Sequence, residues 1–295
     1  MADLNLNGVG VALVTPFKES GDIDFDTLEK IIENIIAGGA DYIVALGTTA
    51  ETPTLTKEEK FEIAGFIREV NASRLPLIIG IGGNNTKAVM IKTGTFDLSG
   101  YSAILSVTPY YNKPSQEGIF QHFKAVAEIS PLPILLYNIP SRTGVNMTAL
   151  TTLRLANLSG KFCGVKEASG NLEQCKEIID KAPEGFSVVS GDDAATFPLM
   201  KIGGKGVISV LANALPGEVK RLFNTCKDEN EANALSCHNS LMPICTSLFE
   251  EGNPAGIKAL LSILGFGSNI LRLPLVPVSE AIKRKLEKEA ALLLK

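Results

Sequence analysis

Apolar residues along this chain come in short continuous runs, and between the runs they recur at helical spacing. The runs are GVGVALVTP at 8–16, DYIVALG at 41–47, LPLIIGIG at 75–82, YSAILSVT at 101–108, LPILLY at 132–137, FCGVKEA at 162–168, FSVVS at 186–190 and GVISVL at 206–211. Such runs, rich in Val and Ile and bounded by Gly, Pro or polar clusters, read as strands. They are apolar throughout rather than alternating, which is the pattern of strands buried on both faces.

Between them the period becomes that of a helix. Leu28, Ile31, Ile32 and Ile35 share a face over 24–37, and Gly38-Gly39 ends it. Thr56 stands three residues before Glu59, a capping box that opens a helix through Phe61, Ala64 and Ile67. Further helices are predicted from Thr86 to about Leu98, from Ser115 through Ile129, from about Thr148 to Leu155, over 172–179, from about Ala194, and from Pro216. Eight strand–helix units in alternation predict parallel strands closing into a (β/α)8 TIM barrel, about 250 residues in its usual form. An open doubly wound sheet is the alternative, but no dinucleotide loop follows the first strand. The strand signal stops near residue 225. Residues 226–295 read as helices over 232–248, 256–264 and 279–294, the last with Ile282, Leu286, Ala290 and Leu293 on one face. The expected organisation is a catalytic barrel over 1–225 and a small C-terminal helical domain over 226–295.

Composition then removes several functions. The net charge of -4 and pI near 5.4 argue against a nucleic-acid surface. The mixed run KRKLEKE at 283–289 reads as a solvated helix face. No apolar run reaches the ~18 residues of a membrane span, and the N-terminus lacks a basic-then-apolar signal pattern, so the cytoplasm is the expected location. Five cysteines without a C-x-x-C pair fit reduced thiols better than a disulfide framework or a zinc site. Histidine occurs only as His122, on a helix face, and His238, so a Ser-His-Asp triad or a His-rich metal site is poorly supplied. G-x-S-x-G, the Walker loop and a complete G-x-G-x-x-G are missing; Gly80-Ile81-Gly82-Gly83 lacks the third glycine at its offset. Neither a metal nor a cofactor is expected.

The active site of such a barrel lies at the C-terminal ends of its strands. There the second strand delivers Gly47, Thr48 and Thr49, the fourth Tyr110 and Tyr111, and the fifth Tyr137, with Arg142 in the next loop. The sixth delivers Lys166 and Glu167, the seventh Gly191, the eighth Ile208. Singly, each has an ordinary structural reading: a strand-end lysine in water, tyrosines packing a rim, an arginine in a surface ion pair, threonines capping a turn. Together they surround a nucleophile, and three of the chain's five tyrosines fall at this one face. Burial lowers a lysine's pKa, and the neutral amine attacks a carbonyl to form a Schiff base. Backbone N–H groups of a Gly-Thr-Thr turn bind a neighbouring carboxylate, hydroxyls relay protons, and Arg142 offers a fork for a second carboxylate. This is a class I aldolase site for a 2-oxo acid such as pyruvate.

The motifs ALVTPF at 12–17, GTTAET at 47–52, VTPYYNKPSQEG at 107–118, ILLYNIPSRTG at 134–144, GVKEASGN at 164–171, SGDDAA at 190–195 and GVISV at 206–210 cover nearly the whole chain. They resemble the dihydrodipicolinate synthase family of pyruvate-dependent aldolases, within the N-acetylneuraminate lyase superfamily. The resemblance implies condensation of pyruvate with L-aspartate 4-semialdehyde in diaminopimelate and lysine synthesis. It implies Lys166 as the Schiff-base lysine and Tyr137 as proton donor and acceptor. Thr48 and Tyr111 would complete a proton relay, with Tyr111 inserted from a neighbouring subunit of a homotetramer. Arg142 would hold the semialdehyde carboxylate, while Thr49, Gly191 and Ile208 line the pyruvate site. Two other readings stand beside it. One is a related Schiff-base lyase for a 4-hydroxy-2-oxo acid or a sialic acid, against which Arg142 argues. The other is a non-catalytic 2-oxo acid sensor, which has no need of a proton relay.

Three departures from the family pattern stand out. Ala50 replaces a usual glycine in GTTAET, and NPAG at 253–256 replaces N-P-x-P. At the site where lysine inhibits sensitive members, Asn84 and Tyr110 are kept, but Lys57 and Ala88 stand where a histidine and a glutamate are usual. A positive Lys57 repels lysine's ammonium groups and Ala88 removes a counter-charge, so weak or no inhibition is expected.

Overall fold

The computed structural model describes residues 4–228 and 230–294. The described chain runs β1 (Gly8–Ala12), α1 (Phe25–Ala37), β2 (Tyr42–Ala45), α2 (Lys57–Asn71), β3 (Leu77–Gly80), α3 (Thr86–Thr95), β4 (Ala103–Val107), α4 (Gln116–Ile129), β5 (Ile134–Asn138) and α5 (Pro140–Thr143). It continues through α6 (Ala149–Leu158), β6 (Phe162–Glu167), α7 (Leu172–Lys181), β7 (Ser187–Ser190), α8 (Thr196–Lys201), β8 (Gly206–Ser209) and α9 (Pro216–Lys227), then α10 (Glu231–Glu250), α11 (Ala255–Ile263) and α12 (Glu280–Leu293). The strands pair in sequence order, all parallel, and β8 closes on β1 with Gly8 opposite Gly206 and Gly10 opposite Ile208. The chain is the expected TIM barrel.

Local chemistry sets the helix starts. Asp24, Ser115, Thr148, Asn171 and Ser279 each accept a backbone N–H of the first turn. Both halves of the Thr56–Glu59 capping box are formed. Such caps contribute about 1 kcal/mol apiece. The strands are shorter than the apolar runs because flanking residues such as Val14, whose N–H turns to the Asn213 side chain, leave the ladder yet stay buried. The helix α5 was not anticipated. Pro140 presets its first turn, and Gly144 ends it at φ 75.

Two cores explain the unbroken apolar runs. Tyr42, Val44, Ile78, Leu105, Leu135, Val189 and Ile208 point into the barrel. Ile43, Ile79, Ile104, Leu136 and Val165 point outward against the helices. Fully burying one such side chain contributes roughly 1.5–3 kcal/mol, so both pleat faces favour apolar residues. Gly10 makes room inside: a Cβ there would lie 2.1 Å from the Tyr42 ring. The filled interior leaves the mouth for chemistry.

The C-terminal helices pack on the barrel and on each other. Ile244, Leu248, Ile257, Leu260, Ile282 and Leu286 are buried among them. The 283–289 run is more than a solvated face, since Lys285 pairs with Glu250 at 2.8 Å and Glu289 accepts from Ser247 at 3.0 Å. His122 is buried on α4 with its Nδ1 2.9 Å from the Thr86 hydroxyl, and burial lowers its pKa to about 4. The five cysteines are free thiols. No described helix is long and apolar enough to cross a membrane.

Candidate active site

Lys166 lies on β6 in register with Tyr137 of β5 and Val189 of β7. It is 5% exposed, and its Nζ sits 4.6 Å from the centre of the Tyr137 ring. Burial is the largest influence on the amine and draws its pKa down to about 8; the Asp193 carboxylate opposes this and the Arg142 guanidinium reinforces it. At pH 7 roughly a tenth of such an amine is neutral, against a few in ten thousand for an ordinary lysine. The geometry therefore supplies a nucleophile at neutral pH.

Asp193, in the turn after β7, is a neighbour that sequence reasoning did not single out. Its carboxylate accepts from the Ser209 hydroxyl and from the backbone N–H of Val210 at 2.9 Å and Leu211 at 3.1 Å. Burial raises its pKa while these donors hold it back. With its oxygens so occupied, it acts on Lys166 through the field rather than by contact.

Tyr137 is likewise 5% exposed. Burial pushes its phenol up to about 12, against a hydrogen bond with the Thr48 side chain and the charge of Arg142. The phenol stays protonated at neutral pH and can donate its proton to an oxygen placed beside Lys166.

Thr48 and Thr49 occupy a 3-10 turn, Thr48–Ala50, between β2 and α2. Left-handed residues that are not glycine bracket this turn: Leu46 at φ 54 and Glu51 at φ 52. Each costs on the order of 1–2 kcal/mol. Hydrogen bonds hold the turn closed, from the Thr52 hydroxyl to the Gly47 carbonyl at 2.7 Å and from the Thr15 hydroxyl to the Ala50 carbonyl at 2.9 Å. Ala50 itself takes no left-handed conformation, so its Cβ adds no backbone strain. From the C-terminal helices, the Asn253 amide donates to the Thr49 hydroxyl at 3.1 Å.

Gly191 donates its N–H to the Glu167 carbonyl at 2.8 Å, and a Cβ on it would stand 3.0 Å from Lys166 Cε. A glycine here keeps the space beside the amine open. Ile208 is buried inside the barrel, opposite Gly10 on β1. Glu167 points the other way, into a buried network where it accepts from Asn138, Gln174 and the Ser169 N–H. Burial raises its pKa and these donors oppose the rise. It braces β6 rather than entering the mouth.

The remaining residues are less enclosed. Arg142, on α5, is exposed and donates to the Asn253 carbonyl at 3.1 Å. Tyr111 is 88% exposed, at φ 73, so its ring stands outside the packed group formed by Lys166, Tyr137 and Thr48. Tyr110 is also exposed on the β4–α4 loop. In that region the Asn112 amide donates to the Asn84 carbonyl at 3.0 Å, and Ala88 lies in the first turn of α3. Lys57 opens α2 with its ammonium 5.8 Å from the Phe61 ring.

Sequence reasoning missed the C-terminal residues that brace the site from behind: Asn253 against Thr49, and Lys258 and Arg272 against Glu51. One signal was available, a lysine in the otherwise apolar helix AGIKALLSI.

The chain is also similar to known proteins over nearly its whole length. A model of the Dihydrodipicolinate synthetase family matches residues 5–292. The 4-hydroxy-tetrahydrodipicolinate synthase of Parabacteroides distasonis is 52% identical over 94% of this chain and 93% of its own. A solved structure of a monomeric dihydrodipicolinate synthase variant aligns with TM-score 0.93 at 37% identity, covering 96% of this chain and 95% of that one. The enzyme from Cyanidioschyzon merolae with lysine bound gives TM-score 0.93 at 38% identity, over 98% of both chains. The chain belongs to the dihydrodipicolinate synthetase family.

Proposed function

We propose that this chain is a lyase that condenses pyruvate with L-aspartate 4-semialdehyde to 4-hydroxy-tetrahydrodipicolinate, the step that opens diaminopimelate and lysine synthesis. The observation that carries the reading is the buried Lys166 amine over the Tyr137 ring, with the Thr48 side chain acting on that phenol. The Lys166 lone pair attacks C2 of pyruvate, whose oxygen takes a proton through Tyr137. Water leaves and an imine forms. Loss of a C3 proton gives the enamine, and its C3 attacks the aldehyde carbon. The aldehyde oxygen becomes the hydroxyl. The substrate's amino group then attacks C2, Lys166 leaves, and the ring closes. The net change is the two substrates giving the cyclic product and water.

In this reading the N–H groups around Thr48 and Thr49 hold the pyruvate carboxylate, Gly191 and Ile208 line its pocket, and Arg142 takes the semialdehyde carboxylate. The charged fork at Arg142 favours this substrate over a sialic acid. Tyr111 reaches the relay of a neighbouring subunit in a homotetramer, a reading supported by its exposure on a left-handed loop residue. Residues 1–225 form the catalytic unit and 226–295 a helical domain that buttresses it. Free thiols favour a reducing compartment, the cytoplasm. Borohydride treatment with pyruvate tests the chemistry, and a coupled assay with the semialdehyde tests the substrate. An expected adduct on Lys166 that fails to form, or no turnover of the semialdehyde, sinks the respective part.

A further inference from the structure

A buried charge cluster lies behind the turn that carries Thr48 and Thr49, outside the reacting groups. Lys258 of α11 is 2% exposed and pairs its ammonium with the buried carboxylate of Glu51. The same ammonium donates to the Ile270 carbonyl at 2.8 Å and sits 4.0 Å from the centre of the Phe17 ring. The backbone N–H of Arg272 donates to the other Glu51 oxygen at 3.0 Å, while its guanidinium forks Glu59. Burial draws the Lys258 pKa down to about 8, and the contact with Glu51 opposes that fall.

A buried ion pair stabilises little compared with apolar packing, so its presence points to a geometric task. Glu51 directly follows Thr48, Thr49 and Ala50, and it holds a left-handed conformation at φ 52. A residue with a Cβ keeps such a conformation only where its surroundings over-determine it. Here those surroundings come from α11 and the 270–272 segment, far along the chain.

We infer that Lys258 is a positioning residue: acting through Glu51, it holds the Thr48–Thr49 turn in the shape that receives the carboxylate of the 2-oxo acid. The inference rests on the reading of that turn as the pyruvate carboxylate site. It makes the C-terminal helices part of the frame of the pocket.

Three variants of the full-length protein test it: Lys258→Met, Glu51→Gln and the conservative Lys258→Arg. Hydrogen exchange needs no substrate. Amides over 47–52 should exchange at least about tenfold faster in Lys258→Met and Glu51→Gln, while β5 and β6 keep wild-type protection. In kinetics, KM for pyruvate should rise about tenfold, KM for the semialdehyde should change less than about twofold, and Lys258→Arg should recover most of the loss. Glu51→Gln carries the test if Lys258→Met does not fold. Unchanged exchange over 47–52 overturns the inference. So does faster exchange spread evenly over the barrel, or an equal rise of both KM values. If wild-type protein forms no borohydride adduct with pyruvate, the functional reading fails, and the exchange arm still decides whether Lys258 holds the turn.

Discussion

Lys166 and Lys258 are removed from water to nearly the same degree, at 5% and 2% exposure, and each lies over an aromatic ring, but only Lys258 also meets a carboxylate. Burial lowers the pKa of both. Both settle at about 8, although at Lys258 the carboxylate of Glu51 touches the ammonium and pulls against the fall. At Lys166 the acid that opposes the fall, Asp193, is engaged by Ser209 and two backbone amides, so it tempers the shift through its field. A lowered pKa alone does not make a reactive lysine. What differs is engagement: the Lys258 ammonium is held by Glu51 and the Ile270 carbonyl, while Gly191 keeps space open beside the Lys166 amine.

The largest effect should come from Lys166→Ala. Turnover falls at least about a thousandfold, and intact mass shows no borohydride adduct with pyruvate. An adduct that moves to Lys258 would break the contrast between the two lysines. Tyr137→Phe keeps the packing and removes the hydroxyl, so kcat should drop about 10²–10⁴-fold. Wild-type kcat in that variant would remove Tyr137 from the proton path.

Stability should separate the lysines by sign, not through titration, since both amines are drawn down to about 8, but through the carboxylate that only Lys258 leaves behind. The folded Lys166 pKa lies below its unfolded value, so between pH 8 and about 10.5 the unfolded chain binds more protons. Lys166 therefore costs stability below pH 8, and the cost fades as pH rises through that window. Lys166→Met should stabilise by up to about 3 kcal/mol at pH 7, with the gain shrinking by about pH 10. Lys258→Met strands the Glu51 charge and should destabilise by about 3–5 kcal/mol. Denaturant unfolding at the two pH values reads both, and a shift of the same sign in the two variants would erase the distinction.

Smaller effects sharpen the picture at the rim. Arg142→Ala should raise KM for the semialdehyde about tenfold and leave KM for pyruvate nearly unchanged. Equal values for both substrates would assign the second carboxylate elsewhere. L-lysine should inhibit weakly or not at all, because Lys57 and Ala88 offer its ammonium groups no counter-charge. An inhibition constant below roughly millimolar, the range of a specific effector, would overturn that.

Much of the fold was legible because its signals are local. An apolar run, the Thr56–Glu59 capping box and the i, i+3, i+4 spacing of Leu28, Ile31 and Ile35 are each read within one element. Short elements were less so: α5 depends on how Pro140 follows β5, and no periodicity fits in four residues. In the site, Lys166, Tyr137, Thr48 and Gly191 could be named because parallel alternation sends every strand end to the same mouth. The enclosure of Lys166 and Tyr137 beside the exposure of Tyr111 could not, since exposure is set by packing beyond the element.

The sequence by itself therefore determined the barrel, the order of its strands and the strand that carries the lysine, because period and punctuation act over a few residues. Only the tertiary structure decided which buried lysine meets a carboxylate. It brought Glu51 to Lys258 and Thr49 to Asn253 from opposite ends of the chain. Charge pairing and desolvation depend on distance in space, and no spacing along the chain encodes it.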